Sequence, residues 1–355
     1  MKKFMIWLFV GCMIGLLVGA STAIIAPELN FSFEYVDWFL ELPLGIFIFV
    51  ISIFLHIVIH EVGHLLMGLV SGYRFVGLSI LGYMVVKNPQ NKLEFKRFKV
   101  PGIGGQCLMA PPEYSKDFAY KRYLLGGILA NGVAIIICSL FIKWNLFSWI
   151  FIIVGAIVVL TNGIPMQFND GKSVQLMAKD ETNRKLMYVA LKANALLYQG
   201  YDYTEMNEEY FLPLNTVGYS YLNTQHDIMR VNYFLNRLDF REAHRMLEDL
   251  WRQKNEISVP IFKTGIEGEL LSVLCYLNPT DQRISELWNN SELQHFLKQP
   301  LMGNYRIKAS YAKSEGDTRT AIDLLKASLD AQQNMPSAGD AKMEVKLAKF
   351  LLSKW

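Results

Sequence analysis

The sequence predicts a mainly α-helical membrane protein: a polytopic bundle of about four spans with a short cytoplasmic β-hairpin, followed by a helical soluble domain. Three observations carry this expectation. Hydrophobic residues fill 52% of the 355 positions and charged residues only 19%, a balance foreign to soluble chains of this length. Four long runs with almost no charge all precede Asp170. Beyond it, apolar residues recur at helical spacing among ordinary surface charges. The expected domains are therefore residues 1–175, embedded in the membrane, and residues 176–355, in the cytoplasm.

The first run, residues 4–27, contains no charge and exceeds the roughly 20 residues that cross a bilayer. A cleaved signal peptide is the competing reading, since Lys2 and Lys3 precede the run and small residues end it, but the run is longer than a usual signal core. The remaining spans are expected at about 39–70, 123–142 and 144–167. Charge orients them. Residues 28–38 carry Glu28, Glu34 and Asp37 without a base and read as outside, whereas the segment between the second and third spans is rich in Lys and Arg and reads as cytoplasmic. The third and fourth spans form a hairpin with an outer turn near Lys143 and Trp144, returning the chain to the cytoplasm at Asp170. This predicts a multi-pass protein of the cell membrane with its N-terminus and C-terminal domain cytoplasmic.

The net charge of +3 excludes a basic nucleic-acid binder, because Lys and Arg nearly balance Asp and Glu both before and after Asp170. The four cysteines, Cys12, Cys107, Cys138 and Cys275, lack paired spacing and read as free thiols.

Chemistry concentrates in the second span, which reads His60-Glu61-Val62-Gly63-His64. A helix places His60 and His64 on one face, where two imidazoles can share a metal, and leaves Glu61 able to reach a metal-bound water as a general base. Such residues inside an apolar span are expensive and usually face a protein or water-filled interior. His56 continues the same face but is one turn too distant to share the ion, so it lines the cavity or is a buried, hydrogen-bonded histidine. A third ligand is offered at the end of the fourth span, where Asp170 emerges on the same membrane side as His64.

These motifs resemble those of the site-2 protease family of intramembrane metalloproteases, which pairs H-E-x-x-H with a later Asn-x-x-Pro-x-x-x-x-Asp-Gly segment. Asn162, Pro165, Asp170 and Gly171 match that spacing, and Gly127 with Asn131 fits the family's Gly-x-x-x-Asn element, although Ile128 stands where a proline is usual. The resemblance covers roughly residues 40–175. It implies one zinc ion held by His60, His64 and Asp170, water activation by Glu61, and substrate-carbonyl positioning or oxyanion stabilisation by Asn131 and Asn162. It also implies a membrane-spanning protein or peptide precursor as substrate. A purely structural interhelical hydrogen bond is the competing role for Asn131.

Two β-rich segments, residues 77–86 and 92–100, flank Asn88-Pro89-Gln90-Asn91 and predict the cytoplasmic hairpin, whose edge is suited to holding an extended peptide. A connector resting its basic residues on lipid headgroups is the alternative. Gly102 to Gly105 and Pro111-Pro112 read as a loop or re-entrant segment. In the C-terminal half, Tyr233 to Trp251 and Tyr311 to Leu329 are similar at an offset of 78 residues and resemble degenerate tetratricopeptide units, which stack into peptide-binding surfaces. Recruitment of a cytoplasmic protein is one role for them; stabilisation or oligomerisation is another. The second reading of the whole chain is a non-proteolytic membrane scaffold, against which the intact His60, Glu61, His64 and Asp170 argue.

Overall fold

A computed structural model describes residues 38–97, 104–115, 118–214, 216 and 218–355, with side chains from residue 43 onward. The expected first span at 4–27 lies outside the described residues. Met1–Val50 and Ile51–Trp355 form two compact units, and everything below concerning the site lies within the second.

The described residues are mainly helical, with a small antiparallel sheet and, among them, three helices long and apolar enough to cross a membrane. Helix α1 spans Trp38–Val70 and ends at Gly72, whose φ of 82° lets the Tyr73 N–H bond back to the Gly68 carbonyl. Helices α2 (Tyr120–Phe141) and α3 (Leu146–Gly163) form the expected hairpin, with Asn145 and Ser148 making a capping box at the start of α3. The main chains of α1 and α2 touch: a Cβ on either Gly63 or Gly126 would strike the other's backbone. Side chains facing away from these contacts, among them Leu66, Val133, Ile137, Leu140 and Leu160, are exposed and apolar, as a hydrocarbon surrounding requires.

The sheet is larger than the expected hairpin. Strands β1 (Arg74–Ile80), β2 (Tyr83–Lys87), β3 (Leu93–Arg97) and β4 (Gly105–Ala110) pair antiparallel in the order β3-β2-β1-β4. What reads as one strand from residue 77 to 86 is itself a hairpin. Ile80 pairs with Tyr83 across a two-residue loop in which Leu81 and Gly82 both have positive φ, the signature of a type I′ turn. Gly105, the last residue of the segment expected as a loop, instead begins the edge strand β4, bonded to β1 from Arg74–Ala110 to Ile80–Gly105, while Pro111 and Pro112 lie outside any strand and residues 102–103 lie outside the described residues. One face of the sheet buries Val76, Met84, Val86, Leu108 and Ala110 against Ala195. The other leaves Tyr83, Val85, Leu93 and Phe95 exposed.

After α3, the chain turns through Ile164–Asn169 into α4 (Asp170–Lys179) and α5 (Glu181–Tyr198). Then come α6 (Tyr221–Asn236), α7 (Phe240–Arg252), α8 (Pro260–Leu277), α9 (Arg283–Trp288), α10 (Ser291–Phe296), α11 (Met302–Ser314), α12 (Thr318–Asp330) and α13 (Ala338–Leu352). The 78-residue correspondence has a local structural counterpart. The turns of α6–α7 and α11–α12 close alike, with Asp239 at φ −87°, ψ 74° and Asp317 at φ −84°, ψ 75°, each capping the following helix through its carboxylate. A buried ionic cluster ties this region together: Arg306 of α11 forks onto Glu344 of α13 at 2.7 and 2.9 Å and reaches Glu269 of α8 at 2.7 Å. One hydrophobic cluster runs from Tyr73, Tyr120 and Tyr123 through Met177 and Leu186 to Leu271 and Leu347, so the packing is continuous across the composition change near Asp170.

Candidate metal centre

The buried polar residues of α1 lie in a single stripe. Ser52, His56, His60 and His64 are four residues apart, with Glu61 beside them, and all are buried although the helix from Pro43 onward is otherwise apolar. Opposite this stripe, Asp170 is the first residue of α4, and its position depends on its neighbour Asn169. The Asn169 side-chain amide donates to the Thr161 and Ile164 carbonyls at the end of α3, while its oxygen accepts from the Lys172 N–H at the start of α4. One side chain therefore closes one helix and opens the next, as Pro165 requires by stopping α3.

The result brings His60 Nε2, His64 Nε2 and Asp170 Oδ2 together. The two nitrogens are 3.1 Å apart, and the carboxylate oxygen lies 3.0 Å from His60 and 3.3 Å from His64. Zinc bonds of about 2.0–2.1 Å in tetrahedral geometry place neighbouring donors about 3.4 Å apart, so the observed separations suit one such ion. The chemistry of the donors makes the same case. The His64 Nδ1–H donates to the Tyr123 carbonyl at 2.8 Å, which leaves the neutral ring with only a lone pair at Nε2. That lone pair faces an acidic oxygen, an arrangement that needs a proton or a metal cation between the two. Burial would raise the Asp170 carboxyl, but with protons on the facing nitrogens the hydrogen bonds and charges of His60 and His64 hold it down at about 2, so the carboxylate is already anionic when a metal takes the place of those protons. The His60–His64–Asp170 group can hold a metal ion.

A cavity of 470 Å³ opens on this group, lined among others by Glu61, Asn162 and Gln106. Strand β4 forms its wall: a Cβ on Gly105 would fall 2.6 Å from Glu61 Oε1. The helices beyond Asp170 contribute as well, through Ala190, Leu191 and Asn194 of α5 and Gln225 of α6. A second cavity of 780 Å³, lined by Phe262 and His295 among others, adjoins the first across Gln106, Phe168 and Gln225.

Of the six site residues expected from sequence, His60, Glu61, His64, Asn162 and Asp170 face this one cavity. Asn162 donates from Nδ2 to the Val158 carbonyl of its own helix. Asn131 does not line the cavity; it is 0% exposed and bonded to His56 and His60. His56, also 0% exposed, is the buried, hydrogen-bonded histidine of the two alternatives open to it. Sequence reasoning missed Tyr123, whose carbonyl orients His64 and whose hydroxyl donates to the Cys107 carbonyl of β4. It also missed Asn169, for which an Asn directly before Asp-Gly was the available signal.

Comparison with known protein families, curated proteins and solved structures returned no match, so the chain is interpreted from its own residues and geometry.

Proposed function

We propose that this chain is a zinc metalloprotease that hydrolyses a peptide bond in or near the membrane segment of a protein or peptide precursor, in the manner its resemblance to site-2 proteases implies. The observation that carries the reading is the convergence of two imidazoles and a carboxylate on one point, with Glu61 beside them, at the end of helices apolar enough to span a bilayer. Two nitrogens and one oxygen form a donor set suited to zinc, with a coordination position left for substrate or water.

When bound, zinc supplies polarisation of a peptide carbonyl and acidification of a water toward neutral pH. Glu61 accepts the proton that the water loses and passes it to the departing amide nitrogen. Asn162, in the cavity wall, offers an amide N–H to the carbonyl oxygen as negative charge develops there. Edge strand β4, beside Glu61, gives an extended peptide main-chain partners outside Cys107, whose carbonyl is taken by Tyr123, and a helical substrate acquires them on unwinding. In this reading four spans cross the membrane, the site opens at the cytoplasmic face, and the tetratricopeptide-like helices receive the substrate's cytoplasmic part or a partner protein.

The test combines metal analysis of the purified full chain with cleavage of a co-expressed single-span reporter. One zinc per chain is expected in both wild type and Glu61→Gln, with cleavage by the variant lower by at least about 10²-fold. Undiminished cleavage in Glu61→Gln, or wild-type protein without zinc, overturns the proposal.

A further inference from the structure

The Asn131 side chain bridges two histidines of α1, with Oδ1 placed 2.8 Å from His56 Nδ1 and Nδ2 placed 3.1 Å from His60 Nδ1, an assignment that a half-turn of the amide exchanges without moving any other atom. The two ends of an amide are told apart by the groups they meet, and here His56 decides. Its Nε2 lies 2.9 Å from the Phe151 carbonyl oxygen, which can only accept, so Nε2 carries the hydrogen. A neutral imidazole protonated there has only a lone pair at Nδ1 and needs a donor opposite it. Protonating both nitrogens instead would bury a cation at a site of zero exposure, and none of the ion pairs among the described residues involves His56.

We infer that the Asn131 amide points its nitrogen at His56 and its oxygen at His60, so that His56, acting through Asn131, holds His60 as the Nδ1–H tautomer. The His60 Nε2 lone pair then faces His64 Nε2 and Asp170. With the amide the other way round, its nitrogen would donate to His60 Nδ1, the hydrogen would sit on His60 Nε2, and a metal ligand would be lost. His64 obtains the same tautomer from the Tyr123 carbonyl. His60 has no main-chain acceptor in that place and depends on a two-residue relay.

The packing fits this positioning role. A Cβ on Gly127 would lie 2.6 Å from His60 Cε1, and one on Gly155 would lie 2.5 Å from His56 Cε1, so both rings rest flat on helix backbone with no room to turn aside. The Phe151 ring lies 4.2 Å from that of His56 and closes its remaining side. His56 and Asn131 are thus positioning residues for a metal ligand, an inference that rests on the metal-centre reading above but makes a separate claim about hydrogen placement.

The test has two readouts on the full chain in detergent. In ¹⁵N-histidine-labelled, metal-free protein, the His60 signals, assigned by their loss in His60→Gln, should show hydrogen on Nδ1. Zinc affinity, measured against a chromophoric chelator, should fall about 10- to 100-fold in Asn131→Leu and in His56→Leu. His56→Gln, which can still accept from Asn131 and donate to Phe151, should retain both the tautomer and the affinity. A His60 Nδ1 without hydrogen in the wild type overturns the inference, as does full zinc affinity in Asn131→Leu. If the wild type takes up no zinc, the metal reading fails, while the ¹⁵N spectrum still decides the orientation of the relay.

Discussion

At the level of single residues, the centre depends on close approach as much as on ligand identity. Gly127 leaves room for the His60 ring, whereas Gly132, one turn further along the same helix, has nothing within 4 Å of where its Cβ would lie. Gly127→Ala is therefore expected to displace His60 and weaken zinc binding by at least about tenfold, because ligand geometry tolerates only small shifts. Gly132→Ala should bind zinc normally and gain about 0.5–1 kcal/mol from helix propensity. Equal zinc affinity in the two variants would refute the steric account. The same scale shows what a sequence can reveal about a site. His60, Glu61 and His64 were legible because helical spacing alone puts them on neighbouring faces, and Asp170 because charge counting brings it to the same side. The partners of those ligands were not legible. The Tyr123 acceptor is a main-chain carbonyl that any residue could provide, and the contacts of Asn131 and His56 together join three helices far apart in sequence.

At the level of elements, uncharged runs located the three described apolar helices within a few residues, since length and hydropathy are local properties. The sheet was only half legible. β4 lacks alternation because its last four residues are all buried, and Leu81 gives no hint of the positive φ it adopts in the β1–β2 turn. That turn supplies a prediction. Leu in the left-handed region is strained, whereas Asn-Gly is a preferred pair for a type I′ loop, so Leu81→Asn should stabilise the hairpin by about 1 kcal/mol. A raised thermal midpoint checks this, and an unchanged or lowered one argues against strain at Leu81. The 78-residue similarity, by contrast, survived into matching turns because Asp caps and tight helix connections are written in a few adjacent residues.

At the level of the whole molecule, composition marks where the apolar helices end, while packing carries on through Tyr123, Met177 and Leu186 into the helical region. Stability there rests partly on the Arg306 cluster. Glu344→Ala leaves a guanidinium of 2% exposure with Glu269 as its remaining acidic partner, and breaking a buried pair in this way costs about 3–5 kcal/mol. The expected observation is a markedly lower unfolding midpoint by circular dichroism; a midpoint near wild type would mean that water reaches the cluster. Sidedness has its own test. Gln90 is exposed in the turn between β2 and β3, and the native cysteines at 107, 138 and 275 are buried, so Gln90→Cys in a Cys12→Ser background gives a clean probe. Membrane-impermeant maleimide should label it in inverted vesicles and leave it untouched in intact cells, the reverse pattern excluding a cytoplasmic sheet.

The adjoining cavities also bear on inhibition. On the proposed zinc-hydrolase reading, a hydroxamate or similar chelating head group addresses only the metal held by His60, His64 and Asp170. The space beyond Gln225, walled by Phe262 and His295, belongs to the helical region of this chain. Selectivity in a compound would therefore come from its tail rather than its warhead, and from helices other than the three apolar ones.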